Sequence, residues 1–173
     1  MADSFTLNKL IILYTLDKVD FPLTNSQVTE FILEKGYTNY FILQQAINEL
    51  IDTGLIKVKQ IRNSSHYSIT TAGVETLGYF GDHISSAIQH DIDDFLKAHK
   101  YELRSENETL ADYYKKKRHQ FIVNCSIKEK GVPLVEIKLN VTAEDQAIAI
   151  CDNWNKKNAD IYSYIISNLL LKS

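Results

Sequence analysis

The sequence predicts an α+β chain: an N-terminal helix-turn-helix unit with a wing-like hairpin, then a small antiparallel sheet with two covering C-terminal helices. Three observations carry this expectation. Apolar residues recur at helical spacing between Leu7 and Ile51. A glycine-stopped helix, Asn39 to Asp52, runs at once into two short strands around a polar turn. Beyond Gln120 the apolar period changes to two, then returns to helical spacing.

Leu7, Leu10, Ile11, Leu13 and Tyr14 define a first helix from about Leu7 to Lys18, broken by Asp20-Phe21-Pro22. Thr24 and Gln27 form a capping-box pair, in which hydroxyl and amide satisfy each other's exposed backbone donors. They open a second helix with Val28, Phe31 and Ile32 inward and Gly36 as its stop. Thr38 or Asn39 caps the third. At 100° per residue its inner side carries Tyr40, Leu43, Ile47, Leu50 and Ile51. Its outer side carries Phe41, Gln45 and Asn48, with Gln44 at the border.

Helix, glycine, hairpin is the wiring of a winged helix, whose third helix enters the major groove while the wing follows the backbone. Asn and Gln amides match the donor–acceptor pair of adenine. Asn39, Gln44, Gln45 and Asn48 are therefore the expected base readers, with Thr38 at the exposed N-terminus and Phe41 in the same DNA-binding set. Lys57, Lys59 and Arg62, with Asn63 at the turn and His66 on the return strand, are the expected phosphate contacts. The alternative is a solvated hairpin with no partner. Asn63-Ser64-Ser65 reads as the turn.

A fourth helix follows from about Ala72, interrupted near Gly78 and Gly81 and resuming at Asp82. Ile84, Ile88 and Ile92, with Phe95 and Leu96, lie on one stripe, either a dimer seam or intramolecular core. Phe121, Val123, Cys125 and Ile127 alternate, as do Val135, Ile137, Leu139 and Val141, and a weaker strand runs from Thr109 to Lys117. Thr142 with Asp145 opens a helix carrying Ala147, Ile148, Cys151 and Trp154. A last helix begins at Asn158, and Tyr164, Ile165, Leu169 and Leu171 make its apolar stripe broad enough for a two-fold interface. The expected domains are 1–78, a connecting or dimerisation helix 79–100, and a β-β-β-α-α unit 101–173.

Composition bounds the function. The 173 residues are 45% hydrophobic and 24% charged, ordinary for a globular chain of one domain or two small ones. No apolar run approaches the roughly 20 residues of a membrane span, and the start lacks a signal-peptide pattern, so a cytoplasmic protein is expected. Net charge is −3, and residues 1–78 hold six Lys and Arg against eight Asp and Glu, or −2. Attraction to phosphate must then come from local placement.

Tyr67-Ser68-Ile69-Thr70-Thr71-Ala72-Gly73-Val74-Glu75-Thr76-Leu77 resembles the strand-to-helix junction of winged-helix regulators of the PadR and MarR kinds. Thr70 would cap the new helix and Gly73 would let a strand pass close. The whole chain resembles PadR-like winged-helix proteins grouped as domain-of-unknown-function family 4364. The resemblance rests on Asn8–Tyr14, Thr29–Phe41, Ala111–Tyr114 and Ile150–Trp154. It implies a transcription regulator by fold, with no catalytic residues to carry over.

Other clusters are weaker. Lys115-Lys116-Lys117-Arg118-His119 beside Tyr113 and Tyr114 is a second basic surface or a solvated strand end. His83, His90, Asp91, Asp93 and Asp94 read as an exposed acidic face rather than a metal site. Cys125 and Cys151 lack metal or redox spacing. The expectation is a non-enzymatic homodimer on double-stranded DNA, without cofactor, or else a protein-interaction module; the sequence names no effector.

Overall fold

The computed structural model describes residues 3–171. They form a mixed α+β chain with six α-helices, a short 3-10 turn and two small antiparallel sheets. Contacts divide it into two units, one ending at Arg104 and one beginning at Ser105.

In the first unit, α1 (Ser4–Asp17) is capped by Asp3, whose carboxylate accepts the Thr6 backbone N–H at 2.7 Å. Leu10, Ile11, Ile12, Leu13 and Leu16 are all buried, so α1 is apolar nearly all round and forms the unit's centre. A two-residue strand β1 (Leu23–Thr24) precedes α2 (Asn25–Glu34). The capping box is made in both directions: Thr24 Oγ1 accepts from Gln27 N and Gln27 Oε1 from Thr24 N. Gly36, at φ 71°, turns the chain toward α3 (Tyr40–Asp52), and Gly54, at φ 74°, does the same after it. Both sit where a Cβ is disfavoured.

The hairpin β2 (Ile56–Ile61) and β3 (Ser64–Ile69) follows, and β1 joins it, giving the order β1-β3-β2. The pairing of Ile61 with Ser64 leaves only Arg62 and Asn63 in the turn, so Ser64 and Ser65 are strand rather than loop residues. Next come α4 (Thr71–Phe80), the 3-10 turn Gly81–His83, and α5 (Ser86–Glu108). Gly78 lies inside α4, and α5 continues eight residues beyond the expected end at residue 100. Ile84, Ile92, Leu96 and Leu103 are buried in the first unit's own core, with Ile88 and Phe95 packed against it. The expected dimer seam at Ile84, Ile88 and Ile92 is thus intramolecular core.

Tyrosines hold α5 in place. Tyr37 Oη donates to Asp91 at 2.8 Å, and Tyr14 Oη to Asp93 at 3.0 Å, with Lys18 also beside Asp93. Desolvation and the Asp91 bond push the Tyr37 hydroxyl up to about 12. These acids serve as hydrogen-bond acceptors, and among the described residues no group of three or more His, Cys, Asp and Glu is placed to hold a metal ion.

The second unit stacks β4 (Thr109–Lys117), β5 (Gln120–Glu129) and β6 (Val132–Val141) in sequence order beneath α6 (Glu144–Leu170). Pairing places Ala111, Cys125 and Ile137 in one row and Tyr113, Val123 and Leu139 in the next. Ala147, Cys151 and Trp154 of α6 pack on that face, and Trp154 Nε1 donates to the Ser126 carbonyl at 3.3 Å.

The expected pair of C-terminal helices is one helix. Asn158 starts nothing: its Nδ2 donates back to the carbonyls of Trp154 and Asn155, at 2.9 and 3.2 Å, so it takes a helix-interior role. Nor does Thr142 cap by bonding toward Asp145. Gln146 Oε1 instead accepts the Ala143 and Thr142 backbone N–H groups.

Cys125 and Cys151 are buried free thiols. Burial pushes the Cys125 thiol up to about 11 from an ordinary 9.0. At pH 8 its thiolate fraction is then about one in a thousand. Iodoacetamide at pH 8 is expected to spare Cys125 in the native protein and to modify it in urea. A raised folded pKa means the folded state holds the proton more tightly. The second unit should therefore keep its stability below pH 9 and lose part of it as pH rises toward 11. Rapid native alkylation of Cys125 at pH 8, read by peptide mass, would contradict this.

Candidate nucleic-acid interface

The 13-residue α3 is anchored by Leu43, Ala46, Ile47 and Leu50, all buried. Ala46 belongs to that stripe although its small side chain gives little hydropathy signal. Tyr40, expected inside, is 50% exposed, and its ring meets the Phe41 ring edge-on at 5.9 Å. Phe41 is 82% exposed, and Gln45 and Asn48 are exposed on the same side.

Three expected base or phosphate contacts are engaged elsewhere. Gln44 Nε2 donates to Asn25 Oδ1 at 3.1 Å and Thr29 Oγ1 at 3.2 Å, tying α3 to α2. Thr38 Oγ1 accepts from the buried Asn8 Nδ2 at 3.1 Å, which fixes the entry to α3. His66 is 5% exposed on the central strand, paired with Lys59 on one side and Thr24 on the other. Its neighbour Tyr67, which points to the opposite face of β3, is 5% exposed as well, so both faces of the strand are covered at this point. Asn39 is exposed, with its Oδ1 accepting the Ile42 N–H at 3.0 Å as the helix cap.

Asn25 is the residue the sequence did not reveal. Its Oδ1 also accepts from Tyr67 Oη at 3.2 Å, so one carboxamide joins α2, α3 and β3. Burial pushes the Tyr67 hydroxyl up and keeps it a donor. An Asn directly after a helix cap is too common to be singled out without the fold.

Lys57 and Lys59 stand exposed on one face of β2, and neither is ion-paired among the described residues. Arg62, at φ 53°, and the exposed Asn63 form the tip. On α3 the Glu49 carboxylate is met by Lys9 Nζ at 2.6 Å, which offsets the nearest negative charge. The hairpin thus carries local positive charge in a unit whose net balance is acidic. The basic run Lys115 to His119 is also exposed, at the end of β4 and its turn.

Residues 8–169 match the family described as a domain of unknown function, DUF4364. The chain belongs to that family. No curated protein and no solved structure matches it. In this DUF4364 chain no helix among the described residues is long and apolar enough to cross a membrane.

Proposed function

We propose that the first unit is a winged helix and that this DUF4364 protein is a DNA-binding transcription regulator acting as a dimer. The supporting observation is the pairing of two uncompensated lysines on a hairpin with an adjacent exposed helix face of amides. The order helix, short strand, two helices, hairpin, with the short strand closing the sheet, fits that reading. Phe41, Gln45, Asn48 and the Asn39 end of α3 face the bases, while Lys57, Lys59, Arg62 and Asn63 follow phosphates. Two wings supply about six phosphate contacts, so log affinity should fall with log salt at a slope of about −5.

Replacing Lys57 and Lys59 with alanine removes four of those contacts from a dimer and should flatten the slope to about −2 for every duplex tested. Fluorescence anisotropy on DNA from upstream of its own gene, between 50 and 200 mM salt, measures it. A flat salt response in the unmodified protein would end the reading.

The dimer contact proposed is the end of α6. Tyr164, Leu169, Leu170 and Leu171 are each at least 70% exposed, and Ile165 is half-buried. A closed two-fold dimer hides such a patch from both copies. Leu169→Glu read by light scattering tests this separately from DNA binding.

A second reading is favoured by Phe41 alone: an exposed aromatic on a helix without cations suits a protein partner. Under it the lysine variant is silent, and Phe41→Ala removes the partner.

A further inference from the structure

The densest positive charge in the chain, Lys115-Lys116-Lys117-Arg118, closes β4 and enters the turn to β5, directly after Tyr114. All five side chains are exposed, and none of the four cations is ion-paired among the described residues. Strict alternation would set Lys117 on the face of Tyr113, which packs toward α6. The pairing register changes that. Lys115 lies opposite Phe121 but Lys117 lies opposite Gln120, so Lys116 is an extra residue at a bulge. Gln120 shares a face with Ile122, two residues on, and Ile122 lies opposite Tyr114. Lys117 therefore joins Tyr114 on the outer face of the sheet, which Lys138 and Asn140 of β6 complete, both exposed. The Tyr114 ring is 55% exposed there. Asp112 and Glu136 lie farther from the turn, so the face grades from acidic to basic along the strands.

We propose that the basic end of this face binds single-stranded nucleic acid, with a base stacked on Tyr114 and the backbone running over Lys116, Lys117, Arg118 and Lys138. A row of unpaired cations is complementary to a polyanion, and each one that meets a phosphate releases a counterion. The ring decides which polyanion. An exposed aromatic on an open sheet beside cations is a stacking platform for unpaired bases. A duplex keeps its bases stacked on one another and cannot use it. The Asn140 carboxamide, one strand over, offers a donor and an acceptor to the edge of a splayed base. An anionic membrane fits less well, because it would meet Asp112 and Glu136 on the same face. The inference concerns the second unit alone and stands whether or not the first binds duplex DNA.

The probe is a fluorescein-labelled oligodeoxythymidylate of about 15 nucleotides, added to the full chain and followed by anisotropy. About four phosphate contacts give a single strand a log affinity–log salt slope of about −3. Replacing Lys117 and Arg118 together with alanine should halve that slope, to about −1.5. Tyr114→Ala should weaken binding about tenfold at fixed salt and leave the slope unchanged, since it removes stacking and no charge. Tyr114→Phe keeps the ring and should bind like the unmodified protein. The wing variant with alanine at Lys57 and Lys59 should hold the single strand as tightly as before, which separates this surface from the first unit. Three results would each overturn the proposal: no saturable binding at about 50 mM salt, full affinity in Tyr114→Ala, or loss of the single strand in the wing variant. Phosphatidylserine vesicles add a fourth arm. Vesicle binding that needs Lys117 and Arg118, with the oligonucleotide left unbound, assigns the surface to a membrane, and the proposal fails.

Discussion

Gly73→Ala is expected to destabilise the first unit by about 3 kcal/mol, although the added group is one methyl. Gly73 does not have a positive φ; the obstacle is space. A Cβ there would stand 2.1 Å from the Leu55 carbonyl oxygen and 2.7 Å from Ile69 Cγ1. That carbonyl cannot retreat cheaply, because it accepts both the Thr70 N–H at 3.1 Å and the Thr70 hydroxyl at 3.0 Å. Thr70 in turn caps α4 by accepting the Gly73 N–H at 3.1 Å. One junction therefore joins the end of α3, both hairpin strands and α4. The control is Gly78→Ala, five residues along the same helix, where a Cβ meets nothing within 4 Å. That change should be neutral or stabilise by up to about 1 kcal/mol, through the lower entropy of the unfolded chain. Urea unfolding of the two variants makes the comparison. Equal midpoints would mean the junction is not as tight as described.

Phe31→Ala should cost about 4 kcal/mol, the larger of the two effects. Phe31 is buried in α2 and stacks on Phe95 of α5, ring centroids 4.2 Å apart and planes 26° from parallel. Truncation removes the stack and leaves a cavity that a close-packed core fills only in part. The same experiment tests where α5 belongs. If its inner stripe packs within one chain, the loss is independent of protein concentration. A midpoint that rises with concentration, with the Phe31→Ala penalty shrinking alongside it, would return that stripe to an interface between copies.

Local sequence decided a good deal of this protein. The Thr24–Gln27 box, the stops at Gly36 and Gly54 and the Thr70 cap on the Gly73 N–H depend on bonds within a few residues, so each was readable in order, and the cap of α3 was narrowed to Thr38 or Asn39. Alternation likewise located β5 and β6, because period two with one covered face leaves a clear pattern. The outward positions of Phe41, Gln45 and Asn48 followed from helical geometry alone.

Tertiary structure decided what local pattern could not. β1 is two residues long and exists only because β3 lies beside it. His66 is expected on the surface yet is buried, and so is Tyr67 on the opposite face of β3, so both faces of the strand are covered there. Gln44 and Thr38 carry side chains suited to reading bases, but distant partners, Asn25, Thr29 and Asn8, claim them. The stripe from Ile84 to Leu96 had the same period for a seam or a core, and only the packing of α5 on the first unit chose between them. Asn158 could begin a helix or sit within one. Its amide found carbonyls already in place one turn back, so α6 runs on as a single helix.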